Sequence, residues 1–471
     1  MIRMKHLLLF CSVYMLWLGS LSARTFSIDL DQRQQTCEGW GVSLCWWANM
    51  CGRNSEAQLD SLIDWLVSPE GLNYNIFRYN IGGGDDPQWS HCHPHHFCFP
   101  RTGKGYRAEM EGFQDERGGA YHWERDEAQI RILRLIKQKR PDAVFEAFSN
   151  SAPWWMTISG CNGGNRRATD DNLNPEYYED FARYLVDVCL HMKEVYGIEF
   201  ATLDPFNEPV TDYWHASGSQ EGCHFSAENQ IDFLRVLAPM LQASGLKTLI
   251  SASDETNVHQ SVLDLQAYHD AGILPLVGQW NTHTYIGSAD DKRELSALTR
   301  SLGIRLWQSE TGDGGHGIEG NLKMAKRLVE DVRLLQPAAW LDWQYVEEGS
   351  DQWSLVRCNH TWSRYERHAN YYVRQHFSRY IPVGYTFVST DLPDALAAVS
   401  PDGATLVLVV VNAEAASADV SLRLPIGFHL AQCVQTTASS YARPLFDVPV
   451  RKSVLLLSQP AFSITTVVMT K

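Results

Sequence analysis

Several things are scarce in this 471-residue chain, and each closes off a class of function. Positive charge is the first. Lys and Arg number 40 against 55 Asp and Glu, the formal net charge is −15, and no Lys/Arg-rich run occurs. Such a surface repels phosphate, so neither nucleic acid nor anionic membrane is expected as a partner. Long apolar runs are absent beyond the first 23 residues. A span needs about 20 apolar residues, so no membrane insertion is expected of the mature chain. Two catalytic signatures are missing as well. Gly82-Gly83-Gly84 leads into Asp85-Asp86 instead of Gly-Lys-Ser/Thr, which is hostile to phosphate and excludes a P-loop. No Gly-x-Ser-x-Gly elbow supports a serine hydrolase. Tryptophan, finally, is absent from Ser363 to Lys471, although sixteen lie at or before Trp362.

What is present starts with an export signature. Arg3 and Lys5 precede the apolar run Leu7–Leu18, and Gly19, Ser20, Ser22 and Ala23 follow. Residues 1–23 are expected to form a signal peptide cleaved near Ser22 or Ala23, giving a secreted or periplasmic protein. Cys11 leaves with the signal, so ten of the 11 cysteines remain. In an exported chain some should be disulfides. Cys45/Cys51 and Cys92/Cys98 are close enough for local loop pairs, whereas Cys189 falls in a helical pattern and reads as a buried thiol. His91, His93, His95 and His96 cluster with Cys92 and Cys98. A disulfide with histidines in a cleft loop is the preferred reading, so no metal and no cofactor are expected. Asn359-His360-Thr361 is a glycosylation sequon, meaningful in a eukaryotic secretory host.

From Cys37 to about Trp343 short apolar runs alternate with helical patterns. The expected strands are 39–44, 75–81, 143–149, 200–206, 248–253, 277–283, 304–309 and 338–343. The expected helices are 55–67, with Ser55 as N-cap, then 123–139, 175–196, 227–244, 258–271, 290–301 and 318–334. Eight alternations predict an α/β fold, a (β/α)₈ TIM barrel over 37–370. An open doubly wound sheet competes, but it uses fewer strands and often carries a glycine-rich nucleotide loop. The long Gly-, His- and Pro-rich stretch 82–121 after the second strand suits a loop over a binding cleft. Beyond the last tryptophan the runs 386–389, 395–399, 405–412, 418–424, 453–457 and 464–469 read as strands, with Asp402-Gly403 as a turn. They predict a C-terminal antiparallel β-sandwich over 371–471, to which residues 24–36 add a strand.

Two glutamates carry the chemistry. Glu208 stands in Asp204-Pro205-Phe206-Asn207-Glu208-Pro209 and Glu310 in Trp307-Gln308-Ser309-Glu310-Thr311-Gly312. Each follows an apolar stretch, at the end of a strand where a barrel presents its site. Splitting a glycosidic bond needs a protonated acid at the leaving oxygen and, for a retaining reaction, an ionised carboxylate about 5–5.5 Å away. Glu208 is the expected acid/base and Glu310 the expected nucleophile. Arg78, at the end of the second strand, and Tyr285, after the sixth, are candidate partners for Glu310; His283 shares that strand end. Asn207 offers an amide to a sugar hydroxyl. Trp46, Trp47, Trp154, Trp155, Trp214 and Trp343 sit at or just after proposed strand ends, where rings can pack on the C–H faces of a pyranose.

Five segments in order resemble glycoside hydrolase family 30: Glu38-Gly39-Trp40-Gly41, then Phe77-Arg78-Tyr79-Asn80-Ile81-Gly82-Gly83-Gly84, Ser151-Ala152-Pro153-Trp154-Trp155-Met156, Phe206-Asn207-Glu208-Pro209 and Gln308-Ser309-Glu310-Thr311-Gly312. The resemblance covers nearly the whole mature chain. It implies a retaining hydrolase with a barrel fused to a β-sandwich, Glu208 as acid/base and Glu310 as nucleophile. The stretch Gly41-Val42-Ser43-Leu44-Cys45-Trp46-Trp47-Ala48 is most similar to the branch containing endo-β-1,6-galactanases. The expected partner is thus a polysaccharide or oligosaccharide, bound by a monomer and cleaved by double displacement. Xylanase, glucuronoxylanase or β-1,6-glucanase activity is the alternative within the same mechanism, and a non-catalytic carbohydrate-binding protein the alternative of a different class.

Overall fold

The computed structural model describes residues 24–86, 107–349, 351–359 and 364–471. The signal peptide, the His91–His96 loop, the Cys92/Cys98 pair and two residues of the sequon, His360 and Thr361, lie outside the described residues.

Eight parallel strands close into a barrel: β1 (Gly39–Ser43), β2 (Ile76–Asn80), β3 (Val144–Phe148), β4 (Thr202–Asp204), β5 (Leu249–Asn257), β6 (Val277–Ile286), β7 (Arg305–Glu310) and β8 (Ala339–Asp342). β8 pairs with both β1 and β7, which closes the ring. The strands are buried on both faces and so read as near-continuous apolar runs instead of alternating ones. The helices form an outer layer. Ser55 caps Glu56–Val67, with the Gln58 side chain reaching back to the Ser55 N–H at 3.3 Å. Ser226 and Ser288 cap Ala227–Ala243 and Ala289–Leu302 by accepting from the N–H groups of Asn229 and Asp291. Gly197 and Gly303 end Tyr178–Tyr196 and Ala289–Leu302 in the left-handed region, where a side chain would be strained.

The tryptophan-free tail is a two-sheet sandwich. One sheet has seven strands, ordered Ser440–Pro444, His429–Thr437, Ser463–Thr470, Thr405–Asn412, Ala395–Val399, Thr386–Thr390 and Ile28–Thr36. The other orders Thr25–Phe26, Ala418–Arg423, Val454–Gln459 and Val450–Arg451. The N-terminal segment therefore enters both sheets. Alternation explains why Thr405–Asn412 reads Leu-Val-Leu-Val-Val-Val. Leu406, Leu408 and Val410 face the second sheet, whereas Val407, Val409 and Val411 join the core that runs under the barrel. That shared core fastens the sandwich to the barrel, helped by Trp40 Nε1 donating to the Ile381 carbonyl at 2.7 Å.

Three features were not expected from the sequence. His429–Thr437 is a central strand, but its polar outer positions hide it. A three-stranded sheet (Gln344–Glu348, Ser354–Asn359, Arg364–Arg367) and a helix (Ala369–Ser378) follow β8. Cys45 and Cys51 do not pair; both are free and buried, since the helix Trp47–Cys51 directs them into different packing. Cys189 is a buried free thiol, and Cys161 is disulfide-bonded. Among the described residues no helix is long and apolar enough to cross a membrane.

Candidate active site

The carboxyl ends of the barrel strands converge on a cleft of about 520 Å³ that Glu208 and Glu310 both line. Glu310 is the last residue of β7, and register places it beside His283 of β6. Glu208 follows β4 with φ 49°, in the left-handed region that a glutamate rarely adopts. Main-chain bonds hold it there: its N–H donates to the Asp254 carbonyl at 2.9 Å, and Trp214 Nε1 donates to the Glu208 carbonyl at 2.8 Å. Pro209 blocks continuation of the strand. Rigid strand ends and one constrained turn thus bring an oxygen of each carboxyl, and a ring nitrogen of His283, within 4.8 Å of one another.

The donors divide unevenly between the two acids. Glu310 receives Nη1 of Arg78 at 3.1 Å and the Tyr285 hydroxyl at 3.0 Å. Glu208 receives the Tyr213 hydroxyl and lies 3.0 Å from Nδ1 of His283, which stands 3.7 Å from Glu310. Burial pushes the Glu310 carboxyl up to about 7; His283 and Arg78 pull against this, and the charge of Glu208 adds to it. For His283, burial opposes charging, but the Glu310 and Asp254 carboxylates hold its pKa well above the ordinary value. Arg78 is fully buried and also engages Glu146 at 2.9 Å through Nε and Asp254 through Nη2. Three carboxylates around one guanidinium repay a desolvation cost that a single partner would not. Its planar fork, stacked 4.1 Å from the Phe148 ring centroid, allows this where Lys would not.

Trp46 and Trp343 line the cleft and meet edge to face, centroids 5.1 Å apart. Asn207 lines it too, and its amide oxygen has no hydrogen-bond partner among the described residues. Tyr285 and Trp214 belong to the same wall. Other expectations need correction. Trp47 is buried against Tyr345, its Nε1 bound to the Ser43 carbonyl at 2.7 Å, so it is core and not sugar floor. Trp154 is half-buried and Trp155 packs on Tyr177; neither lines the cleft. Arg78 and His283 are too buried to touch a substrate and act on the glutamates instead.

Residues 23–272 match the family model for O-glycosyl hydrolase family 30. An endo-β-1,6-galactanase of Hypocrea rufa is 30% identical over 408 residues, spanning 84% of this chain and 82% of that protein. The chain belongs to O-glycosyl hydrolase family 30. It is a glycoside hydrolase, as its motifs led us to expect. An exo-β-1,6-galactobiohydrolase of Bifidobacterium longum is 26% identical, spanning 66% of this chain but 26% of that longer protein. The catalytic domain of a GH30 xylanase C from Talaromyces cellulolyticus superposes with a TM-score of 0.74 at 20% identity, covering 95% of this chain and 100% of that one.

Sequence reasoning missed several residues of this family 30 site. Trp353 joins the aromatic wall from the turn before Ser354–Asn359 in the unforeseen sheet after β8, its ring centroid 6.1 Å from Tyr285. Tyr213 follows the Asn-Glu-Pro motif by four positions and carries no periodic signal. Arg107 lies over the Trp46 ring, 4.9 Å from its centroid, and donates to Ser219 at 2.6 Å. Asp254 and Glu146 were findable: Asp254 directly follows the run 248–253 as Glu310 follows 304–309, and Glu146 is an acid inside the run 143–149. The glycine run serves packing. A Cβ on Gly82 would lie 2.4 Å from the Met110 carbonyl oxygen, and Gly84 turns at φ +64°.

Proposed function

We propose that this family 30 hydrolase is a secreted retaining endo-β-1,6-galactanase that cleaves galactan or arabinogalactan side chains by double displacement. One observation carries the mechanism: the two carboxyls approach within 4.8 Å across the cleft. Inverting enzymes need a gap of about 6.5–9.5 Å for a water, and retaining ones about 5–5.5 Å. Roles follow from the donors. Of the two glutamates only Glu310 receives the Arg78 guanidinium, which favours the carboxylate needed for attack, so the proton-donor role falls to Glu208. Glu310 attacks the anomeric carbon while Glu208 protonates the departing oxygen. Glu208, now a base, then takes a proton from water, and that water releases the sugar from Glu310. Trp46, Trp343 and Tyr285 supply the apolar and hydroxyl surface for the ring, and Asn207 the amide for a neighbouring hydroxyl.

The substrate assignment draws on two relatives of this chain named for β-1,6-galactan linkages. Export is supported by the leader-like start and by a disulfide at Cys161. We place the catalytic barrel at 37–370 and the sandwich at 24–36 with 371–471, and the enzyme acting as a monomer. A panel of purified polysaccharides with products sized by chromatography tests the reading. β-1,6-Galactan should yield short galacto-oligosaccharides, with xylan and β-1,6-glucan left intact. Cleavage of either of those with galactan untouched reassigns the substrate, and binding without cleavage of any points to a carbohydrate-binding role.

The pH profile follows from the shared proton. Burial and the charge of Glu208 raise the Glu310 carboxyl to about 7, so the two acids titrate as a pair whose last proton leaves as pH rises through that value. Without that proton no acid meets the leaving group. Values of kcat/KM should therefore fall tenfold per pH unit above about 7. A profile flat to about pH 9 would show that the pair does not carry the acid.

A further inference from the structure

Double displacement uses Glu208 and Glu310 and leaves a third buried carboxylate beside them without a part. Asp254 lies on β5, is fully buried and does not line the cleft. Its φ of 64° is left-handed, which turns both its side chain and its carbonyl toward the site. Its hydrogen bonds and an ion pair with His283 lead to the catalytic pair. Oδ2 accepts from Nη2 of Arg78, whose Nη1 holds Glu310. Oδ1 lies 3.1 Å from Nε2 of His283, whose Nδ1 holds Glu208. Oδ1 also accepts from the hydroxyl of Ser309 at 2.5 Å, the neighbour of Glu310. The main-chain carbonyl accepts from the N–H of Glu208 at 2.9 Å.

We propose that Asp254 is the positioning residue of this site: one buried carboxylate fixes both cations that orient the catalytic acids and keeps His283 an imidazolium between them. The inference rests on the double-displacement reading and deepens it. His283 faces Glu208 beyond β4, Asp254 on β5, Glu310 on β7 and Tyr285 on its own strand; Tyr213 caps the far oxygen of Glu208. Around Asp254 stand Arg78, Glu146 and Asp204. Burial works to protonate Asp254, but Arg78, His283 and Ser309 hold it well below the usual carboxylate range. Asp204 is different: burial, Asp254 and Glu146 push it well above that range, so it adds no charge near neutrality.

Asp254→Asn keeps the shape and removes the charge. An amide nitrogen facing Nε2 of His283 requires that nitrogen to accept, so the ring becomes the neutral Nδ1–H tautomer. The pair then loses a cation 3.0 Å away while the deleted anion stood farther off. Both carboxyls gain proton affinity, and the activity profile moves to higher pH.

The test is ¹⁵N NMR of histidine-labelled enzyme at about pH 8, above the free imidazole value of about 6.5, with the His283 signal assigned by its loss in His283→Gln. The native ring should be doubly protonated and the Asp254→Asn ring neutral. On β-1,6-galacto-oligosaccharides, Asp254→Asn should lower kcat on the order of 10²-fold with KM little changed, and shift the profile upward. In a His283→Gln background the same substitution should move the profile no further. An imidazole still doubly protonated in Asp254→Asn, an unmoved profile, or an equal shift without His283 would overturn the proposal. If Asp254→Asn is not recovered folded, Ser309→Ala removes one donor to the same carboxylate; kcat should fall several-fold at constant KM, and an unchanged kcat overturns the role. The NMR arm needs no turnover, so its failure is distinct from failure of the reaction assignment, which the glutamate variants decide.

Discussion

Glu310→Gln should cut turnover of β-1,6-galactan on the order of 10⁴-fold, about 5 kcal/mol of barrier. The amide matches the carboxylate in shape but has no charge with which to attack an anomeric carbon. Arg78 and Tyr285 both donate to this side chain, so the glutamine can satisfy one of them and must present its NH₂ to the other. Folding should survive, because Arg78 keeps Glu146 and Asp254. The check is steady-state kinetics beside a melting curve. A second variant gives a positive result. Glu310→Ala opens space for azide, and azide should restore cleavage of an activated substrate while yielding a glycosyl azide of inverted configuration. Near-normal turnover in Glu310→Gln would remove the nucleophile from the mechanism.

Glu208→Gln should separate the two half-reactions. Galactan leaves as a poor leaving group and needs the proton, so its kcat should fall about 10²–10⁴-fold. A substrate with a strongly acidic aryl leaving group departs unaided, so its glycosylation step should be spared. Deglycosylation still needs a base to activate water, so the covalent intermediate should accumulate and give a burst of released phenol. Equal losses on both substrates, with no burst, would indicate that Glu208 serves only to hold the site together. Tyr213 and His283 would then be the groups that suffer when Glu208 becomes an amide, since both bond to it.

Much of this architecture is legible in the amino-acid order. Each of the eight barrel strands lies within a few residues of its expected span, because a strand buried on both faces is an apolar run bounded by polar turns. The sandwich is legible in β-branched runs such as Thr405–Asn412, but His429–Thr437 is not, as its first half is exposed and its buried half, Cys433–Thr436, mixes polar with apolar residues. Among the aromatic candidates, a ring at a strand end is a weak guide. Trp46 and Trp47 are adjacent, yet a helix begins between them and turns one to the cleft and the other to the core. Trp353 escapes because it follows the barrel, in the turn just before the strand Ser354–Asn359, where no periodic signal marks it.

By itself the sequence determined the order of elements, the family and the two acidic positions, since apolar period, turn chemistry and short motifs are local properties of the chain. Tertiary structure alone decided which charges share one buried space. Arg78, Glu146, Glu208, Asp254, His283 and Glu310 come from six separate stretches of chain, and no spacing along it encodes a contact between them. Barrel closure sets the strands side by side, and register then puts His283 beside Glu310 and Arg78 beside Glu146. In that water-poor interior each charge is held by its neighbours, and the proton the reaction needs belongs to the group.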